Sequence, residues 1–120
     1  MVAEDDRAPE IKTDSPPFTI AVHLEDDLAI SVVCGELDMA TAPLIRQNLE
    51  PFRGRFRALS FDLVDLTFLD AAGLSGIRFS FRDDGTGVSI RRPSPAVLRI
   101  LEIVELEDLI DLTTLEVLGA

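Results

Sequence analysis

The chain has 120 residues, 47% of them hydrophobic, and carries 22 acidic against 11 basic side chains, a formal net charge of −11. This length suits one domain with a single core. So negative a charge disfavours binding to nucleic acid or to an anionic membrane surface, because both need clustered cations. The chain has no apolar stretch of membrane-spanning length and does not begin like a secretory signal. We therefore expect a cytoplasmic protein that binds no nucleic acid and does not insert into a membrane.

A tail followed by a β-hairpin is predicted at the start of the chain. Residues 1–16 are rich in charge and proline, which is typical of a flexible acidic N-terminal tail. Apolar and polar residues then alternate in 18–24, and alternation resumes after the turn-like pair Asp26 and Asp27. The apolar residues that alternate on the second strand are Ile30, Val32 and Cys34. Because Cys34 has apolar neighbours and no disulfide partner, we interpret it as a small buried core residue.

A helix, a third strand and a second helix are predicted next. Residues 38–52 (DMATAPLIRQNLEPF) have apolar side chains at helical spacing. Asp38 or Thr41 can accept hydrogen bonds from the free amides at the start of this helix, and Pro51 should end or bend it early. Residues 58–66 (ALSFDLVDL) alternate as a strand, with Leu59, Phe61 and Leu63 on one face. The second helix is short, is closed by Gly85 and is marked by Leu74, Ile77 or Arg78, and Phe81.

The last third of the chain predicts another strand and a third helix. Residues 87–93 (GVSIRRP) are typical of a strand, and Ser94 and Pro95 are typical of a helix start. The apolar stripe of this helix consists of Val97, Ile100, Leu101 and Val104. Residues 110–120 can supply a last strand or a short terminal helix. Since strands and helices alternate after the hairpin, we expect an α/β domain with helices packed on a mixed sheet.

Residues that could carry catalysis or bind a metal are few. His23 is the only histidine and lies in an alternating strand, and Cys34 has no histidine nearby in sequence. Three carboxylates, Asp62, Asp65 and Asp70, could be considered as metal ligands, but a strand followed by a turn would point them in different directions. We therefore expect no enzyme activity, no metal site and no cofactor.

Two segments each run from a strand into a helix start: GELDMATA at 35–42 and DLTFLDAAGL at 65–74. Together with SPAVLRILEIVELEDLI at 94–110, they resemble the STAS domain, and within it the anti-sigma factor antagonists of bacteria, over about 18–112. The resemblance implies an STAS-like mixed sheet of about five strands, with three to four helices packed mainly on one face and the other face more open. The STAS domain is expected to cover residues 17–120.

The resemblance also implies a function by contact. Such domains bind a cytoplasmic anti-sigma factor, often itself a serine kinase, so that a sigma factor is released. In regulated members a serine or threonine follows the motif's aspartate, and its phosphorylation blocks binding. The aspartate matches Asp70 here, and Ala71 occupies the acceptor position. We therefore expect an antagonist that is permanently competent to bind or is regulated in another way.

The residues expected to contact the partner surround this position. Asp70 can cap the second helix, and Gly73 would keep its first turn slim so that a partner backbone can approach. The full set is Asp38, Thr41, Asp70, Ala71, Ala72, Gly73, Leu74 and Ser75.

Four alternatives stay open. The segment DAAG could be only a helix cap with small residues that allow the helix to pack on the sheet. STAS domains also serve as subunits or scaffolds of membrane transport ATPases or sensory complexes, and these can lack the acceptor serine. A small ligand or nucleotide could bind beside Asp38 and Asp70, although no phosphate-binding glycine loop supports it. Finally, the exposed sheet face could support a homodimer, although no apolar stripe demands one.

Overall fold

A computed structural model describes residues 17–106 and Leu109. The tail predicted over 1–16 and the last element predicted over 110–120 lie outside the described residues. The strands are β1 (Thr19–Glu25), β2 (Leu28–Leu37), β3 (Ala58–Asp62), β4 (Leu66–Leu69) and β5 (Gly87–Arg91), and the helices are α1 (Ala42–Leu49), α2 (Ala71–Arg78) and α3 (Pro95–Ile103). This is the mixed α/β arrangement expected from the sequence. Among the described residues, no helix has both the length and the apolar character needed to cross a membrane.

Strand β2 organises the sheet. It pairs antiparallel with β1, as the hairpin pattern predicts, and parallel with both β3 and β4, while β3 pairs parallel with β5. The pairing of β2 with β4 contains a register shift at Gly35, whose φ of +93° favours glycine. Strands β3 and β4 therefore lie one after the other along the same side of β2.

The face of β2 that points into the core is the opposite of the one that the sequence pattern predicts. The core face carries Ala29, Val33 and Leu37, each 0% exposed, whereas Cys34 lies on the other face and is half-buried. The interpretation of Cys34 as a core residue is therefore wrong. Ile30 lies on the same face as Cys34 and is also buried, at 7% exposure, so both faces of this strand carry buried apolar residues and alternation alone could not identify the core face.

Ser31 also points into the core, where it is 0% exposed and its hydroxyl has no hydrogen-bond partner. A buried hydroxyl without a partner loses its bonds to water and gains none in return. We expect Ser31→Ala to raise the free energy of unfolding by about 1 kcal/mol, measured by urea denaturation. Ser60→Ala is the matched control: Ser60 is 1% exposed and accepts from Arg91 Nε at 3.1 Å, so its loss should lower stability. A destabilised Ser31→Ala variant would contradict this account.

The third predicted strand is two strands in the structure, and the second predicted helix is shorter than expected. Leu59, Phe61 and Leu63 are buried as expected, but the chain turns after Asp62 and forms β4 separately. Helix α2 ends at Arg78, and Arg82–Asp84 form a separate 3-10 turn before Gly85. Phe81 cannot continue the helix because its φ is +53°, in the left-handed region.

Helix α3 agrees best with its prediction. The Ser94 hydroxyl accepts a hydrogen bond from the Val97 amide at 3.3 Å, and Pro95 is the first helical residue. Val97 and Leu101 are fully buried, whereas Val104 lies just past the end of the helix and is 45% exposed. The buried face of α3 packs against β4, and α1 packs against α2 and β1.

Candidate functional site

The candidate site lies where β2 and β4 end. Because these strands are parallel, their carboxyl ends meet at one edge of the sheet, and Leu37 is paired there with Leu69. Asp38 follows the first strand and Asp70 follows the second, and the Asp70 amide donates to the Leu37 carbonyl at 3.4 Å. The structure thus brings together the two aspartates that the sequence motifs single out.

The turn after β2 is organised by Asp38. Its Oδ1 accepts from the amides of Ala40 and Thr41 at 3.0 and 3.1 Å, and the bond from Thr41 contributes most to holding the pKa of this carboxyl below its usual value. Thr41 occupies the N-cap position of α1 but makes no capping bond with its side chain. Its hydroxyl instead accepts from the Asp38 amide and donates to the Glu36 carbonyl, both at 2.9 Å. Both side chains therefore hold the turn in place.

Asp70 caps α2. Its Oδ1 accepts from the Gly73 amide at 2.8 Å, and its carbonyl accepts from Leu74 at 2.9 Å. Ala71, the first residue of the helix, and Ser75, one turn later, are exposed, so both lie on the outer side of α2. The position expected for a phosphoacceptor is therefore accessible to another protein.

Gly73 acts inside the chain, which corrects the interpretation that it leaves room for a partner backbone. A Cβ atom at this position would lie 2.3 Å from the Leu37 carbonyl oxygen, so only glycine lets α2 approach the end of β2 this closely. Leu74 is also buried, at 7% exposure, and packs in the core. These two predicted contact residues position the site and offer little surface to a partner.

The surface of the site is formed by fewer residues than the sequence suggested. Asp38, Thr41, Asp70 and Ala72 are half-buried, and Ala71 and Ser75 are exposed. The sequence reasoning missed Met39, which is 77% exposed at the turn between Asp38 and α1. A methionine among turn residues was the available signal, because methionine is enriched at protein interfaces relative to the rest of the surface.

Comparison with known proteins identifies the family of the chain. The family model of the STAS domain matches residues 19–118. The chain belongs to the STAS domain family. This STAS domain is 27% identical over 92 residues to the anti-sigma-B factor antagonist of Bacillus subtilis, covering 74% of this chain and 84% of that protein. It is 30% identical over 88 residues to the anti-sigma-B factor antagonist of Listeria monocytogenes, covering 70% of this chain and 77% of that one.

Solved structures of STAS proteins share the fold. An anti-sigma factor antagonist from Mycobacterium paratuberculosis superposes with a TM-score of 0.65 at 27% identity, covering 78% of this chain and 83% of that one. The unphosphorylated form of the anti-sigma factor antagonist SpoIIAA superposes with a TM-score of 0.63 at 18% identity, covering 79% of this chain and 86% of that one. The second likeness supports the STAS fold alone.

Proposed function

We propose that this STAS domain is an anti-sigma factor antagonist that binds a kinase-like anti-sigma factor at the surface around Asp38, Asp70 and Ala71 and thereby releases a sigma factor. Its curated relatives in two bacterial genera are anti-sigma-B factor antagonists. The observation that carries the proposal is the exposed, rigidly capped start of α2, held against the Asp38 turn. A pre-formed polar edge with an exposed methionine suits docking of another protein.

The second part of the proposal concerns regulation, and it rests on the absence of a hydroxyl at Ala71. A phosphoryl group would add about −1.5 to −2 charge here, but the alanine methyl has no oxygen to accept it. The nearest hydroxyls in the sequence differ in their surroundings: Thr67 donates to the Gly35 carbonyl at 3.0 Å, and Ser75 is exposed one turn along α2. We therefore infer that binding is permanent or is controlled by other means.

A binding role without catalysis agrees with the positions of the reactive side chains. Cys34 is too far from His23 to act with it. Cys34 pairs across the hairpin with Thr19, and Thr19 lies four residues before His23 on β1, a distance of about 13 Å along a strand. The His23 imidazole faces Glu25 at 3.4 Å on an exposed surface. Among the described residues, no three histidine, cysteine or acidic side chains are grouped to hold a metal ion.

A titration of the purified protein with the anti-sigma factor encoded in the same genome tests the proposal directly. We expect a one-to-one complex, measured by calorimetry, and displacement of the sigma factor from its complex with the anti-sigma factor. Failure to bind any anti-sigma factor of that genome, with capture of a transport ATPase instead, would replace the proposal by the role of a transporter subunit.

Variants of Asp70 separate a partner contact from a helix cap. Asp70→Ala removes the acceptor of the Gly73 amide and should lower the free energy of unfolding by about 1 kcal/mol. Asp70→Asn keeps an acceptor oxygen and should leave stability near that of the wild type. If the carboxylate contacts the partner, both variants lose affinity, by at least about ten-fold or about 1.4 kcal/mol. Wild-type affinity of Asp70→Asn would mean that Asp70 acts as a cap alone.

A further inference from the structure

A groove runs between β4 and α3, next to the candidate site. One section, of about 640 Å³, is lined in part by Cys34, Val64, Asp65 and Pro95. A second section, of about 390 Å³, is lined by Thr67, Phe68, Leu69, Pro95, Ala96, Arg99 and Ile100. The two sections share Thr67, Pro95 and Ala96, so they form one groove along the whole length of β4.

The second section of the groove is lined by Leu69, the residue before Asp70. Strand β4 runs from Leu66 to Leu69 and the cap of α2 follows at Asp70, so the second section and the candidate site are adjacent along the chain. Phe68 lies in this section with its side chain 45% exposed, although phenylalanine is costly to leave in water. A protein docked on the start of α2 can therefore extend along β4 and cover this ring.

The charges at the two ends of the groove define what fits it. Arg99, in the second section, is exposed, and no carboxylate among the described residues forms an ion pair with it. Asp65 lies in the first section, at the opposite end. A bound peptide segment with apolar residues in its middle and an acidic side chain near Arg99 would cover the Phe68 ring and form an ion pair with the guanidinium. Phenylalanine and arginine are among the residues enriched at the centres of protein interfaces.

We propose that the groove between β4 and α3 receives an apolar segment of the anti-sigma factor, with Phe68 as the aromatic anchor and Arg99 as the partner of an acidic side chain. This inference rests on the proposed function and adds a second contact region to it. The contact at Ala71 would decide whether binding occurs, and the groove would supply additional affinity and select the partner by its charge.

Two variants of the groove and two matched controls test this inference by calorimetry with the anti-sigma factor. Phe68→Ala and Arg99→Glu should each raise the dissociation constant at least ten-fold. The controls Phe79→Ala and Arg82→Glu change the same residue types near the other end of α2, about 12 Å from its start. Phe79 is 41% exposed and stacks against Arg82 at 5.0 Å, and these controls should change the dissociation constant less than two-fold.

The outcomes distinguish this inference from the proposed function. A wild-type protein that binds no anti-sigma factor overturns the proposed function. Wild-type binding that Phe68→Ala and Arg99→Glu leave unchanged overturns the groove contact alone and keeps the proposed function. If the groove variants and the control variants weaken binding equally, the groove contact is also overturned, because the loss of affinity would then not be specific to the groove. Arg99→Glu alters an exposed helix position, so it remains informative if Phe68→Ala unfolds the domain.

Discussion

Replacing Ala71 by glutamate is expected to weaken binding to the anti-sigma factor at least ten-fold, about 1.4 kcal/mol, without lowering the stability of the domain. Ala71 is the first residue of α2 and is exposed. A carboxylate in the first turn interacts favourably with the helix dipole, by about 0.3–1 kcal/mol, so the folded state is maintained. The same carboxylate stands next to Asp70 and adds negative charge to the proposed docking surface, as a phosphoryl group would. Calorimetry gives the affinity and urea denaturation gives the stability.

The matched control for this variant is Gln47→Glu, which adds the same charge at an exposed position in the second half of α1. Its affinity should stay within about two-fold of the wild type, because one exposed charge outside the contact contributes little. Equal affinities for Ala71→Glu and the wild type would show that the start of α2 is not part of the interface.

A kinase assay tests whether the alanine at position 71 prevents phosphorylation. If the anti-sigma factor is a serine kinase, the wild-type protein should remain unmodified and Ala71→Ser should gain one phosphoryl group, identified by mass spectrometry. Phosphate found on Thr67 or Ser75 of the wild-type protein would contradict the inference that the switch is missing.

The sequence predicted those elements whose signals are local. The hairpin follows from alternation on both sides of Asp26, which adopts a φ of +54° in the turn, and α3 follows from the cap formed by Ser94 and Pro95. The break between β3 and β4 was missed because Leu63 and Val64 continue the apolar run across it. The end of α2 was missed because Phe81 keeps helical spacing in the sequence although its backbone is left-handed.

The sequence predicted which residues begin α2 at the candidate site, but it did not predict the contacts between elements around them. Asp70 and Ala71 stand out in the sequence because a capping residue precedes small side chains, and the structure places both as expected at the start of α2. The groove could not be foreseen, since Phe68 and Arg99 are distant in sequence and meet only when α3 packs against β4. The role of Gly73 was misassigned for the same reason: its close neighbour, Leu37, belongs to another element.

Gly73→Ala should be the most destabilising single methyl addition among the described glycines of α2 and β5. The new Cβ would lie 2.3 Å from the Leu37 carbonyl oxygen, so α2 or the end of β2 must move. Overpacking of this kind costs about 3 kcal/mol, and the better helix propensity of alanine returns about 1 kcal/mol. We therefore expect a net loss of about 2 kcal/mol in the free energy of unfolding, measured by urea denaturation.

Two other glycines provide a graded comparison. At Gly76 a Cβ would lie 3.2 Å from the Ala42 Cβ, a contact that small shifts can relieve, and at Gly87 it would meet nothing within 4 Å. Gly76→Ala should be nearly neutral, and Gly87→Ala should be neutral or stabilising by about 0.5–1 kcal/mol. Because Leu37 precedes Asp38, the movement forced by Gly73→Ala should also displace the Asp38 turn from Asp70 and weaken partner binding. A Gly73→Ala variant as stable as Gly87→Ala would show that this close approach does not position the site.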